Sequence, residues 1–181
     1  MRSNRSRSVA TTASKSLRCT PCPMSHSWNR CLVVLGKRLE HARTAIARLH
    51  ELGADTGAGH LHFSEVIAQL MLNRSEEALV AARNAYPRLA REGDHYRLLL
   101  PLALLNALHG RPDAAARVAG FDAAVQARSG ENASIIAPLL HSRLEPLLAA
   151  SLSVDERARF IAEGAALRDE EAFKLAFDDM A

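Results

Sequence analysis

The chain has 181 residues, 48% hydrophobic but only 4% aromatic. Its core must therefore be built from Leu, Ala, Val and Ile, in a composition that favours helix and lacks the β-branched runs of a sheet protein. The net charge of +3 is uneven: residues 1–39 hold eight Lys/Arg and no acid, leaving 15 Lys/Arg against 20 Asp/Glu in residues 40–181.

Residues 1–30 are rich in Ser, Arg and Thr, have no apolar periodicity and are expected to form a disordered basic arm, because such a stretch cannot offset its ordering entropy by burial. An acid-free start of this kind fits a basic tail, an organelle transit peptide or an extended start to the reading frame. Any attraction to nucleic acid is expected to reside in this arm. All three cysteines fall within the first 31 residues, which excludes a disulfide scaffold. Cys19, Cys22, His26 and Cys31 approach a zinc-knuckle spacing but miss it by one residue, so they read either as a metal site serving single-stranded nucleic acid or as chance clustering. Cys19-Thr20-Pro21-Cys22 lacks the βαβ setting of a redox dithiol. The longest apolar run near the N-terminus, Cys31–Leu35, is far below the roughly 20 residues that cross a bilayer. No secretory apolar stretch is present either, so no membrane association and a cytoplasmic location are expected.

Residues 31–181 are expected to form one helical-repeat domain. Leu32, Leu35, Leu39, Ala42, Ile46 and Leu49 recur at helical spacing up to a stop at Gly53, and Gly36 is a candidate division of that helix. A first pair of helices is expected over about 62–91, with its turn at Asn73-Arg74-Ser75 and Ser75 as the cap of the second helix. Glu76 and Glu77 complement that helix's positive end, and Pro87 is expected to kink or end it. A second pair is expected over about 95–128. In it Gly110 stops one helix in the left-handed conformation, Pro112 opens the next, and Pro101 marks a bend or a late helix start. A C-terminal helical cap is expected over 132–177, its first helix capped by Asn132 or Ser134 and its two short final helices carrying Phe160, Phe173 and Phe177.

The two turn phrases, Leu72-Asn73-Arg74-Ser75-Glu76-Glu77-Ala78 and His109-Gly110-Arg111-Pro112-Asp113-Ala114-Ala115, lie 37 residues apart. Such a period marks stacked antiparallel helical hairpins. The pairs resemble degenerate tetratricopeptide repeats, with Ala78 and Ala115 at the small site of the second helix and Asp122 near where a small residue is usual. That resemblance implies an all-α, tetratricopeptide-like solenoid of helical-hairpin repeats. Residues of about 60–177 also resemble the C-terminal helical-repeat region of bacterial multidomain signal-transduction ATPases and winged-helix transcriptional regulators. The phrases that carry this are His109–Arg117 and the tail Asp155–Leu167 with Asp169-Glu170-Glu171-Ala172. No phosphate loop of the Gly-x-x-x-x-Gly-Lys-Ser/Thr type and no winged helix can be placed. The resemblance therefore implies a detached or truncated sensor module and transfers no ATPase activity.

No catalytic, cofactor-binding or metal-binding residue is assigned, and no cofactor is expected. His60 and His62 lie at a loop-to-helix junction, where exposed polar residues are expected unless an extended backbone lets them chelate. His41, His50, His95, His109 and His141 are scattered, without hydrolase or metalloprotease spacing. Arg83, Arg88, Arg91, Arg97 and Arg111 offer planar forks for an acidic partner, or else a solvated face paired with Glu76, Glu77 and Glu92. The expected function is a non-enzymatic module for a protein or peptide partner, self-association included, with a nucleic-acid-binding arm as the alternative.

Overall fold

Eight α-helices and one 3₁₀ turn make up the secondary structure of the described residues in the computed structural model, which covers residues 25–53, 57–129 and 136–178. The helices are α1 (Ser25–Glu51), α2 (Ala58–Met71), α3 (Ser75–Glu92), α4 (Leu99–Leu108), α5 (Pro112–Ser129), α6 (Ala137–Ser151), α7 (Val154–Ala165) and α8 (Asp169–Phe177), with the 3₁₀ turn His95–Leu98 ahead of α4. No strand occurs among the described residues, and none of their helices is long and apolar enough to cross a membrane. The arm expected over residues 1–30 falls mainly outside this region, as do the proposed caps Asn132 and Ser134.

Several local expectations are corrected by the geometry. Helix α1 runs unbroken from Ser25 through Gly36, where a single glycine costs about 1 kcal/mol and does not end a helix by itself. Ser75 is the first residue of α3 and not its cap; Arg74 stands at the cap without a side-chain bond. Of the two outcomes expected at Pro87 the early end is corrected, because helix α3 continues past it to Glu92. That residue is exposed, where a proline removes one backbone donor without ending the helix. Pro101 lies in the first turn of α4, where its missing N–H has no intrahelical partner to lose, so it marks a late start.

Helix α4 is the centre of the molecule. Leu98, Leu99, Leu100, Leu102, Leu104 and Leu105 are all buried, together with Pro101, Ala103 and Asn106. A helix apolar on every side requires neighbours on every side, and α4 packs against α2, α3, α5, α6 and α8. Helix α2 pairs with α3, α4 with α5, and α1 lies along α2. Helix α7 departs from this pairing by packing against α5. Its Gly164 meets the backbone of Arg117, while Gly120 of α5 meets the backbone of Ile161. Around this crossing Arg117 bonds Asp113 at 2.8 Å and Glu163 at 2.9 Å, with its guanidinium 4.3 Å above the Phe160 ring.

One buried charge is out of keeping with the apolar core. Asp122 on α5 is 6% exposed, and it falls 37 residues after Ala85, which is fully buried on α3. Burial pushes its carboxyl up to about 6, against a 2.6 Å hydrogen bond from Gln126 that favours the carboxylate. The folded state thus keeps this proton to a higher pH than the unfolded chain. The resulting stabilisation is complete below about pH 4 and lost as pH rises through about 6. Asp122→Asn is expected to stabilise the protein by about 2 kcal/mol at pH 8 and to flatten the stability change between pH 4 and 6. Urea unfolding of both proteins across that range checks it, and equal stability at pH 8 would refute the burial cost.

Candidate interaction surface

Two turns connect the helices of the paired region, and they have the same construction. Asn73 and Gly110 both take left-handed backbone conformations, with φ of 58° and 74°. Just after them the Arg74 N–H donates to the Gln69 carbonyl, and the Arg111 N–H to the Asn106 carbonyl, each at 2.9 Å. This closes the preceding helix by a bond spanning six residues. Four residues further on, the Ala78 and Ala115 N–H groups donate to the Arg74 and Arg111 carbonyls, each at 3.0 Å. Both alanines are fully buried, at the position where a methyl lets two helices approach.

The equivalence extends one turn upstream, to residues that the sequence phrases did not include. Gln69 and Asn106 are both fully buried amides and are again 37 residues apart. Asn106 Nδ2 donates to the Leu102 carbonyl at 2.9 Å and to the Ala176 carbonyl of α8 at 3.0 Å. Neither amide atom of Gln69 has a hydrogen-bond partner among the described residues. Arg143 of α6 instead reaches this first turn, donating to the Leu70 carbonyl and to Asn73 Oδ1. Opposite outcomes follow for leucine at the two sites. Gln69→Leu removes a buried unsatisfied amide and is expected to gain about 1–2 kcal/mol, whereas Asn106→Leu orphans a buried carbonyl and is expected to lose about 1–3 kcal/mol. Thermal melts of the two variants give the signs directly, and a lowered melting temperature for Gln69→Leu would contradict the first.

The α1–α2 contact leaves an apolar groove of about 400 Å³ lined by His41, Ala45, Phe63, Ser64, Ile67 and Ile136. His41 and Ser64 are its exposed polar members. A second groove of about 480 Å³ is more polar and lies along the α7–α8 link, between Arg128 and Leu167, Arg168, Asp169 and Glu170. Neither contains a catalytic constellation.

The histidines and arginines singled out in the sequence are spread over the molecule. His60 and His62 both lie within α2, which is helical there and not extended. The helix turns His60 toward Asp94 and Glu92, at 3.2 and 3.5 Å, while His62 is buried, with Nδ1 3.7 Å from Glu65. His62 therefore departs from the exposed position expected of it. No group of three metal-ligating side chains suited to an ion is found among the described residues. Cys19 and Cys22, and the side chains of His26 and Cys31, lie outside them. Arg88 and Arg91 fold back onto the Asn84 and Pro87 carbonyls of their own helix. Arg97 pairs with Asp94 at 3.7 Å, and Arg111 donates to the Asp178 carbonyl. Glu92 accepts from the Gly57 N–H at 3.2 Å in addition to facing His60. Arg88, Arg91 and Arg97 thus make local contacts of α3 and the 3₁₀ turn, while Arg111 ties the α4–α5 turn to the residue after α8.

Burial lowers the pKa of His95, against the raising influence of Asp169 and Asp94, so its imidazole favours the neutral form within a group of aromatic rings. The group has no mark in the sequence, because Phe173 lies 77 residues after Tyr96. No family model, curated protein or solved structure matches this chain.

Proposed function

We propose that this chain is a non-enzymatic, tetratricopeptide-like repeat module that binds a protein or peptide partner in the cytoplasm. In this reading its helical hairpins stack as a solenoid, and the module corresponds to the sensor portion of a bacterial signal-transduction ATPase or transcriptional regulator. The observation that carries it is the equivalence of the two turns, with amide, left-handed residue, arginine and buried alanine repeating at 37 residues. Repeats of this kind present grooves between successive helices to a partner, and the apolar groove between α1 and α2 has that character. The regulator lineage rests on the phrases His109–Arg117 and Asp155–Leu167.

A photo-crosslinking residue placed in the full chain at Ser64, on the groove rim, is expected to yield one discrete protein adduct in cells. The same residue at exposed Asp155 on α7 is expected to yield none. Equal adducts at both positions, or turnover of a substrate by the purified chain in a broad activity screen, would overturn this reading. The lineage has its own check: a phosphate-loop reading frame just upstream in the source DNA would mark the chain as a severed module, and its absence would favour an independent adaptor.

A further inference from the structure

Helix α8 has nine residues and is joined to α7 by Ala166, Leu167 and Arg168. Its neighbour α7 is fixed by backbone contact at Gly120 and Gly164. Helix α8 packs on α5 and α4, and its further contacts form an ordered set along its length. At its first turn Tyr96 donates its hydroxyl hydrogen to Asp169. In its middle Phe173, 4% exposed, has Tyr86 at 4.8 Å and His95 at 5.1 Å between ring centroids. One turn later Phe177 meets Tyr86 at 5.4 Å, while Ala172 and Ala176 are fully buried. At its last turn Asn106 donates to the Ala176 carbonyl at 3.0 Å and Arg111 to the Asp178 carbonyl.

A donor at each end, an aromatic floor and anchors spaced four residues apart are the parts of a groove that receives an amphipathic helix. We infer that α8 is the resident occupant of a helix-binding groove formed by α5, α4, the α4–α5 turn, the 3₁₀ turn and Tyr86 of α3. Its external ligand is a partner helix of pattern Asp-x-x-Ala-Phe-x-x-Ala-Phe, which displaces α8. The resident helix defines this chemistry, since Asp169, Ala172, Phe173, Ala176 and Phe177 are the residues that the seat contacts or buries. Two features favour exchange. A nine-residue helix has little stability of its own, so α8 becomes coil when it leaves. The open polar groove beside Leu167 and Arg168 gives the link room to move. The Nδ1 atom of His95 is buried in the seat without a hydrogen-bond partner, and a partner carrying an acceptor there would gain a contact that α8 does not make. This inference rests on the reading of the chain as an interaction module and identifies a surface for it.

The test uses the full chain carrying Phe173→Ala and Phe177→Ala, which empties the anchor positions, and a labelled synthetic peptide of residues 166–178 as the probe. The double variant is expected to bind the peptide at least about tenfold more tightly than the unaltered chain, because its own helix no longer competes. A peptide with both phenylalanines replaced by alanine is expected not to bind. Equal or absent binding of the native peptide by a variant of native helical content would overturn the inference. Should the variant unfold, amide hydrogen exchange of the unaltered chain decides: α8 is expected to exchange at least about a hundredfold faster than α7, and equal protection refutes displacement. A dimer of the unaltered chain formed by exchanged α8 helices would replace the foreign partner with a second copy and overturn the choice of ligand. Failure here leaves the Ser64 crosslinking result untouched, because that groove does not involve α8.

Discussion

Gly164→Ala is expected to lower the melting temperature by on the order of 10 °C, and Gly120→Ala by a similar amount. A Cβ on Gly164 would lie 1.9 Å from the Arg117 carbonyl oxygen, and one on Gly120 would lie 2.2 Å from that of Ile161. Both obstructions are backbone atoms of a packed helix, so no side chain can rotate aside and α5 and α7 must separate. Overpacking ordinarily costs about 1–3 kcal/mol, and a clash between two backbones stands at or above that range. In a chain of this size each kcal/mol lowers the melting temperature by roughly 2–4 °C. Gly36 supplies the control with the opposite sign. It too is helical, but a Cβ there meets nothing within 4 Å, so Gly36→Ala is expected to be neutral or to stabilise by up to about 1 kcal/mol. Similar melts for the Gly36 and Gly164 variants would show that the crossing is wider than described.

Ala78→Glu and Ala115→Glu are each expected to cost several kcal/mol. Both alanines are fully buried where the second helix of a pair leaves its turn. A glutamate there forces the helices apart and takes a carboxylate out of water, two penalties that add. Because the sites are equivalent, the two losses are expected to be alike, and to contrast with Arg83→Ala on the exposed side of α3, which changes stability by about 0.5 kcal/mol or less. Denaturant unfolding of the three variants makes the comparison. An unchanged midpoint for either glutamate variant would mean that its helix pair is not a close seam.

How much of this was legible depended on whether a residue's environment is set locally. The turns at Asn73 and Gly110, the opening of α5 by Pro112 and the late helix start that was one of the two readings of Pro101 all follow from short-range stereochemistry, and were expected from the sequence. Helix ends were less secure: Ser75 is a good cap by type, but the helix begins on it. The Gly120–Gly164 crossing was not legible, because two glycines 44 residues apart carry no mark that they will touch. The shared burial of Gln69 and Asn106 was within reach, since the 37-residue offset extended upstream places them together. The ring group of Tyr86, His95, Tyr96 and Phe173 was not, because it brings two earlier elements, α3 and the 3₁₀ turn, against α8. Likewise His62 reads as a polar residue near a loop, and only the packing of α2 against its neighbours buries it.

The position of α4 has a consequence for how the chain is made. Its apolar residues are synthesised before α6 and α8, the helices that cover two of its sides. For that interval a stretch apolar all round is enclosed only by α2, α3 and the newly formed α5, and such surface promotes aggregation of nascent chains. Translation stalled near residue 135 would therefore release a sticky product even though every hairpin up to that point is complete, and the last forty residues act as the closing half of a core begun much earlier.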